Sequence, residues 1–184
     1  LFQSVTPRTA GFETVSQAAL TPVSYMLTII LMFIGASPSS TGGGVKTTTL
    51  AVLLLTGIRT LQGERDVNLG RTKINPNSIK RAITIIMLAI LIIMVNTILI
   101  LIFEGNVHNT AANVQNVLFE VTSAFSTVGL TMGITSKLCV ASKLLLCLTM
   151  FIGRVGTLTI GFSIAKRKKI NDKIEYTDAK ILIG

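Results

Sequence analysis

The residues predict an all-α membrane protein assembled from helix, re-entrant pore loop, helix repeats, and three observations lead there. The chain is too apolar for water, it holds a run of 22 residues without a charged side chain, and it repeats itself at one fixed offset. Of its 184 residues 49% are hydrophobic and only 14% charged, with a mean hydropathy of +0.67. A soluble domain of this size cannot hide so much apolar surface.

The uncharged run is 82–103. As a helix it would reach roughly 33 Å, matching a hydrocarbon core of about 30 Å. A second span is expected over 144–165, interrupted only by Arg154. A third apolar stretch, 22–57, would reach roughly 54 Å as one helix, so it has to be broken.

The formal charge of +9 suggests nucleic acid only if its placement is ignored. Of the 17 Lys and Arg, six lie in 59–81 and six in 166–180, while 104–113 has none. The positive-inside rule then puts 58–81 and the basic tail 166–184 in the cytoplasm and 104–113 outside. The excess charge is a topology signal, and no nucleic-acid partner is expected. Cys139 and Cys147 have neither disulfide nor metal-ligand spacing and read as packing residues. The chain opens on Leu1 rather than Met, so it reads as a piece of a longer protein.

Met32-Phe33-Ile34-Gly35 recurs as Met150-Phe151-Ile152-Gly153, an offset of 118 (150 − 32). At that offset Thr9 meets Thr127, Gly11 meets Gly129, Leu20 meets Leu138, Ser24 meets Ser142 and Leu27 meets Leu145. Upstream, Phe2-Gln3 meets Phe119-Glu120 if the second copy has one residue inserted. Between the spans 82–103 and 144–165 lies 114–125, apolar but only about 18 Å long as a helix, too short to cross. It is expected to enter from outside and return, with its irregular backbone buried in protein or lining water. Helix, pore helix, filter-like strand, helix is the unit of a potassium channel.

Each short helix is followed by a Thr-X-Gly turn: Thr9-Ala10-Gly11 and Thr127-Val128-Gly129. Potassium selectivity needs closely spaced inward carbonyls that replace the ion's water, and glycine permits the positive φ this demands. These six residues are the candidate ion-binding set; the alternative is an ordinary glycine turn. The break in 22–57 is expected at Ser37-Pro38-Ser39-Ser40-Thr41-Gly42-Gly43-Gly44, because proline and three glycines disfavour a continuous helix.

Three stretches, Phe2 through Phe12, Met32 through Thr49, and Phe119 through Leu130, resemble the third and fourth repeats of KtrB-type potassium transporters of the Trk/Ktr/HKT superfamily, including the NtpJ group. The resemblance implies four such repeats around one pore, of which about one and a half are present here. It divides the chain into the pore loop and broken inner helix of a third repeat (1–57), a cytoplasmic linker (58–81), a fourth repeat (82–165) and a basic cytoplasmic tail (166–184). It implies that Gly42, Gly43 and Gly44 belong to an intramembrane gating loop; a glycine patch between close-packed helices is the alternative. Arg154, mid-span and aligned with Ala36, is expected to meet carbonyls near Gly42 to Gly44 and form an electrostatic barrier, or else to pair with Glu120. Lys46 stays open between snorkelling and gating. His108 reads as an exposed loop residue, Asn96 as a packing hydrogen bonder, and the Lys166-Arg167-Lys168-Lys169 run as a stop-transfer anchor.

The expected function is potassium uptake, passive or sodium-coupled, by a protein that is not an enzyme. K⁺ at the filter residues, with Na⁺ as coupling ion, is cargo, and no cofactor is bound covalently. The resemblance adds a homodimer of full-length subunits on a cytoplasmic nucleotide-binding ring, KtrA-like, in a bacterial plasma membrane with lipid around it. A non-conducting subunit or scaffold, or an inactive fragment, is the rival. The topology has a direct check: in a full-length parent, a cysteine placed by Asn109→Cys should react with an impermeant reagent from outside and one placed by Asn68→Cys only from inside. The reverse pattern would overturn the arrangement.

Overall fold

The computed structural model describes residues 1–38, 42–63, 68–69, 72–107 and 112–156. In chain order it has helices α1 (Phe2–Val5), α2 (Pro22–Phe33), α3 (Thr47–Leu61), α4 (Pro76–Asn106), α5 (Val114–Phe125) and α6 (Val140–Val155). The departure from an all-helical chain is one antiparallel pairing, β1 (Asn68–Leu69) with β2 (Thr72–Lys73), in the stretch read as a linker. A two-residue pairing has no hydrophobic alternation for sequence reading to detect.

The helix α4 starts where Asn75 accepts the Asn77 N–H at 2.9 Å and Pro76 takes the first position, where its missing N–H costs nothing. It has 31 residues, more than the uncharged run alone. Among the described residues it is the helix long and apolar enough to cross a membrane.

The short helix α5 is the centre of the molecule. Eight of its 12 residues are buried, including Val117, Phe119 and Glu120 through Phe125, and it packs against α2, α4 and α6. On one side Val117, Val121, Ala124 and Phe125 join Ile93 and Ile100 of α4 and Leu146 of α6 in one apolar cluster. On another, Phe119 stacks on Tyr25 of α2 with ring centroids 5.5 Å apart, and the Tyr25 hydroxyl donates to the Gln115 carbonyl. Burying such side chains is worth roughly 1.5–3 kcal/mol each, which makes a marginal 12-residue helix stable here.

Two pairs of elements stand 118 residues apart. Three-residue 3-10 turns occupy Gln17–Ala19 and Thr135–Lys137, and α2 and α6 begin at Pro22 and Val140. Each of these helices is capped alike: Thr21 accepts from the Ser24 N–H, and Cys139 Sγ accepts from the Ser142 N–H. The apolar stretch 22–57 is interrupted between Phe33 and Thr47. The excursion is tied at its neck by a parallel bridge of Ile34 with Val45, in which Gly35 N–H donates to the Val45 carbonyl at 2.9 Å and Val45 N–H to the Phe33 carbonyl at 3.2 Å. Ser39, Ser40 and Thr41 within it, and His108 and the tail 166–184, lie outside the described residues.

Glu104 differs from its sequence reading. Rather than opening an external loop, it is in the last turn of α4 and 1% exposed. Its Oε1 accepts the Cys139 N–H at 2.8 Å and the Ser142 hydroxyl at 2.6 Å, so a carboxyl group from α4 completes the cap of α6. Removing it would leave two buried donors unpaired, at about 1–3 kcal/mol each. Glu104→Ala should therefore lower the thermal unfolding midpoint of a detergent-solubilised full-length parent by several degrees. An unchanged midpoint would show that this cap contributes nothing.

Candidate functional site

The two Thr-X-Gly turns share an unusual backbone. Thr9 (φ 69°) and Thr127 (φ 54°) are the non-glycine residues with positive φ among the described residues, and Gly11 (φ 72°) and Gly129 (φ 90°) follow them in the same region. A β-branched residue held there costs about 1–3 kcal/mol, so the surroundings must impose it. In the second turn the end of α5 does so: Thr127 N–H donates to the Ala124 carbonyl and Val128 N–H to the Ser123 carbonyl, each at 3.0 Å. In the first, Ala10 and Gly11 N–H both donate to the Thr6 carbonyl, at 3.2 and 3.0 Å. The buried Thr6 hydroxyl donates to the Phe12 carbonyl at 2.6 Å. Four of the six turn N–H groups, those of Ala10, Gly11, Thr127 and Val128, are thus spent on the chain just before each turn. Among the described residues, the carbonyls of Thr9, Ala10, Gly11, Thr127, Val128 and Gly129 accept no hydrogen bond.

The turns touch each other, since a Cβ on Gly11 would lie 2.0 Å from the Val128 carbonyl oxygen. Against both lies the glycine segment of the interrupted stretch. A Cβ on Gly42 would be 2.6 Å from Thr9 Oγ1, one on Gly43 2.7 Å from Thr127 Oγ1, and one on Gly44 3.1 Å from Ser126 Oγ. The Gly43 N–H donates to Thr127 Oγ1 at 3.0 Å. Real Cβ atoms do not tolerate separations below 3.0 Å, so Gly42 and Gly43 are small because the segment lies on the two threonines. The same logic explains the repeated Met-Phe-Ile-Gly: Gly35 admits the Gly43 carbonyl and Gly153 the Phe125 carbonyl, where a Cβ would sit at 2.1 and 1.8 Å.

The structure brings together all six turn residues and the three glycines. It does not bring Arg154 to them through a contact. The described helix ends at Val155, with Gly156 as cap at φ 93°, and Arg154 lies in its last turn. It is exposed and has no polar partner among the described residues. The remainder of the expected span, 157–165, is outside the described residues. The cation that reaches the glycine segment is Lys46, whose Nζ donates to the Gly42 carbonyl at 2.6 Å. Sequence reasoning left Lys46 open; its place four residues beyond Gly42 was the only signal.

Glu120 is also engaged elsewhere than expected. Its carboxyl group bonds the segment after the second turn, to Thr131, Met132 and Thr135, and not Arg154. Beside it an open cleft of about 350 Å³ runs along Thr127, Val128 and Gly129. Among the described residues no group of three or more His, Cys, Asp or Glu could hold a metal, and Cys139 and Cys147 are free thiols.

Residues 1–173 match the TrkH family, described as cation transport protein. Across the whole of this chain, the Ktr system potassium uptake protein B of Bacillus subtilis (strain 168) is 40% identical over 183 residues, of which the chain covers 39% of that protein's length. The Ktr system potassium uptake protein D of the same organism is 36% identical, with 39% of its length covered. The potassium/sodium uptake protein NtpJ of Enterococcus hirae is 37% identical, with 40% covered. The chain thus spans about two fifths of these curated relatives. Family members of this kind are membrane transporters rather than enzymes, in agreement with the resemblance carried by the turn and glycine motifs. On a match that runs through both Thr-X-Gly turns, the glycine segment and every described helix, this chain belongs to the TrkH family of cation transport proteins.

Proposed function

We propose that the full-length protein takes up potassium through a pathway whose selective part includes the carbonyls of Thr9, Ala10, Gly11, Thr127, Val128 and Gly129. The observation that carries this reading is the pair of touching turns whose six carbonyls accept no hydrogen bond among the described residues, in a strained backbone held by the N–H bonds of Ala10, Gly11, Thr127 and Val128. Oxygen dipoles fixed at close spacing can stand in for a cation's water, and a pre-strained turn does not have to reorganise to do so. The helix α5 would enter the membrane and return, directing the negative end of its dipole toward the ion. The relatives' names include potassium in each case and sodium in one, which supports K⁺ as cargo with Na⁺ as coupling ion. The word system in two of them supports a multicomponent assembly, here a homodimer on a KtrA-like cytoplasmic ring, with the C-terminus on the cytoplasmic side of the cell membrane.

In this reading the glycine segment is a gate below the turns. Gly43 occupies the Thr127 hydroxyl, and the Lys46 ammonium group on the Gly42 carbonyl both holds the segment in place and puts a positive charge on the path of a cation. Arg154 adds a second fixed positive charge one residue from Gly153, which abuts the carboxyl end of α5.

The filter assignment is tested by Gly129→Ser in a full-length parent. No atom lies within 4 Å of the position its Cβ would take, so strain at φ 90° rather than a clash would act. A cost of about 1–3 kcal/mol there should lower K⁺ over Na⁺ discrimination by about tenfold. An unchanged permeability ratio would reject the assignment. The gate is tested separately: deletion of Gly42 to Gly44, Lys46→Met and Arg154→Gln should each raise maximal K⁺ uptake at matched membrane abundance. Deletion combined with either point change should give less than the sum, because one obstruction is removed twice. Lower uptake in all three variants at normal abundance would instead assign the glycines to helix packing.

A further inference from the structure

Glu120 lies on α5 seven residues before Thr127 and is 6% exposed. A buried carboxyl group needs partners, and all of its partners come from one short stretch beyond the second turn. Oε1 accepts from the Thr131 hydroxyl and, at 3.1 Å, from the Met132 N–H; Oε2 accepts from the Thr135 hydroxyl at 3.0 Å. Within the stretch Gly133 N–H donates to Thr131 Oγ1 at 2.9 Å, while the Thr131 and Thr135 hydroxyls, each giving its one proton to Glu120, lie 3.0 Å apart.

The chain from Glu120 to Thr131 is therefore a closed loop with the Thr127-Val128-Gly129 turn inside it. Its lower end is fixed by the bonds from Thr127 and Val128 N–H to the end of α5. Its upper end is fixed by the Glu120 carboxyl group. Packing does not hold Gly129, around which the space is open beside the cleft of about 350 Å³, whereas the Val128 and Leu130 side chains on either side of it are buried with Phe119. With that side unsupported, the direction of the last carbonyls depends on where Thr131 and Met132 are held. The first copy is held differently, with the Thr6 hydroxyl on the Phe12 carbonyl. Gln3, the counterpart of Glu120 with one inserted residue, donates a single bond to Thr14 Oγ1 at 3.4 Å.

From this geometry we infer that Glu120 is a positioning residue for selectivity: its carboxyl group, by gripping Thr131, Met132 and Thr135, sets the carbonyl geometry of the second turn. The inference rests on the turns being the selective part of the pathway. It assigns Glu120 no contact with the ion.

The test compares three variants of a full-length parent reconstituted in liposomes, reading K⁺ and Na⁺ permeation together with the amount of protein inserted. Glu120→Gln keeps the volume but replaces one accepting oxygen by a donor, and Thr131→Val with Thr135→Val removes two donors while leaving Glu120 in place. Gly129→Ser reports on the turn directly. Loss of a bond to a carboxyl group should lower K⁺ over Na⁺ discrimination by about threefold or more in Glu120→Gln, with the threonine pair changing in the same direction. If Gly129→Ser lowers discrimination while both other variants keep the parental ratio, Glu120 is a packing residue and the inference fails alone. A fall in uptake of both ions at a constant ratio has the same meaning. If Gly129→Ser also keeps the ratio, the filter reading fails and takes the inference with it. Should Glu120→Gln not insert, the threonine pair decides.

Discussion

A 12-residue helix buried on nearly every side is the constraint from which the rest of this structure follows. The chain leaving α5 turns among buried residues, Ser126, Val128 and Leu130, where each backbone N–H needs a partner. Those partners are the carbonyls of α5 itself, at Ser123 and Ala124. Among the described residues the Thr127, Val128 and Gly129 carbonyls accept no hydrogen bond. A left-handed threonine is the local cost, and the apolar cluster around Val117, Val121 and Phe125 offsets it.

The glycines form a second layer built on the first. Gly42 and Gly43 lie so close to Thr9 and Thr127 that any side chain would collide, and Gly35 and Gly153 each admit a carbonyl oxygen at a distance no Cβ permits. Small residues let backbones approach where lipid-like surroundings provide little hydrophobic drive between elements. The glycine segment is an excursion tied at its neck by Ile34 and Val45 and reached at its tip by Lys46. Main-chain bonds fix where it leaves and returns, and on its described return Gly42 meets Lys46 and Gly43 meets Thr127.

Carboxyl groups in this chain act as connectors between elements distant in sequence. Glu104 joins α4 to the start of α6, and Glu120 joins α5 to the stretch after the second turn. Glu120 has both oxygens matched to donors from a single short segment, and Glu104 Oε1 takes two donors from the start of α6. This is how a buried polar group specifies one arrangement rather than merely being tolerated, since half its bonds would be lost in any shifted register.

The sequence by itself determined the elements whose signals are local or repeated. The uncharged run gave α4, the length of 114–125 gave a helix too short to span, and Pro38 with the three glycines marked an interruption that the structure has between Phe33 and Thr47. The 118-residue offset named both Thr-X-Gly turns, because a duplicated motif carries its conformation in both copies. Tertiary structure alone decided which side chain meets which. Arg154 was assigned to the glycine carbonyls by alignment, yet Lys46 holds Gly42, and Glu120 turns to Thr131 and Thr135 rather than to an arginine. Charge and periodicity fix the face and depth of a residue. The partner of a buried polar atom depends on distances of about 3 Å between segments far apart in the chain, which only the packed fold sets.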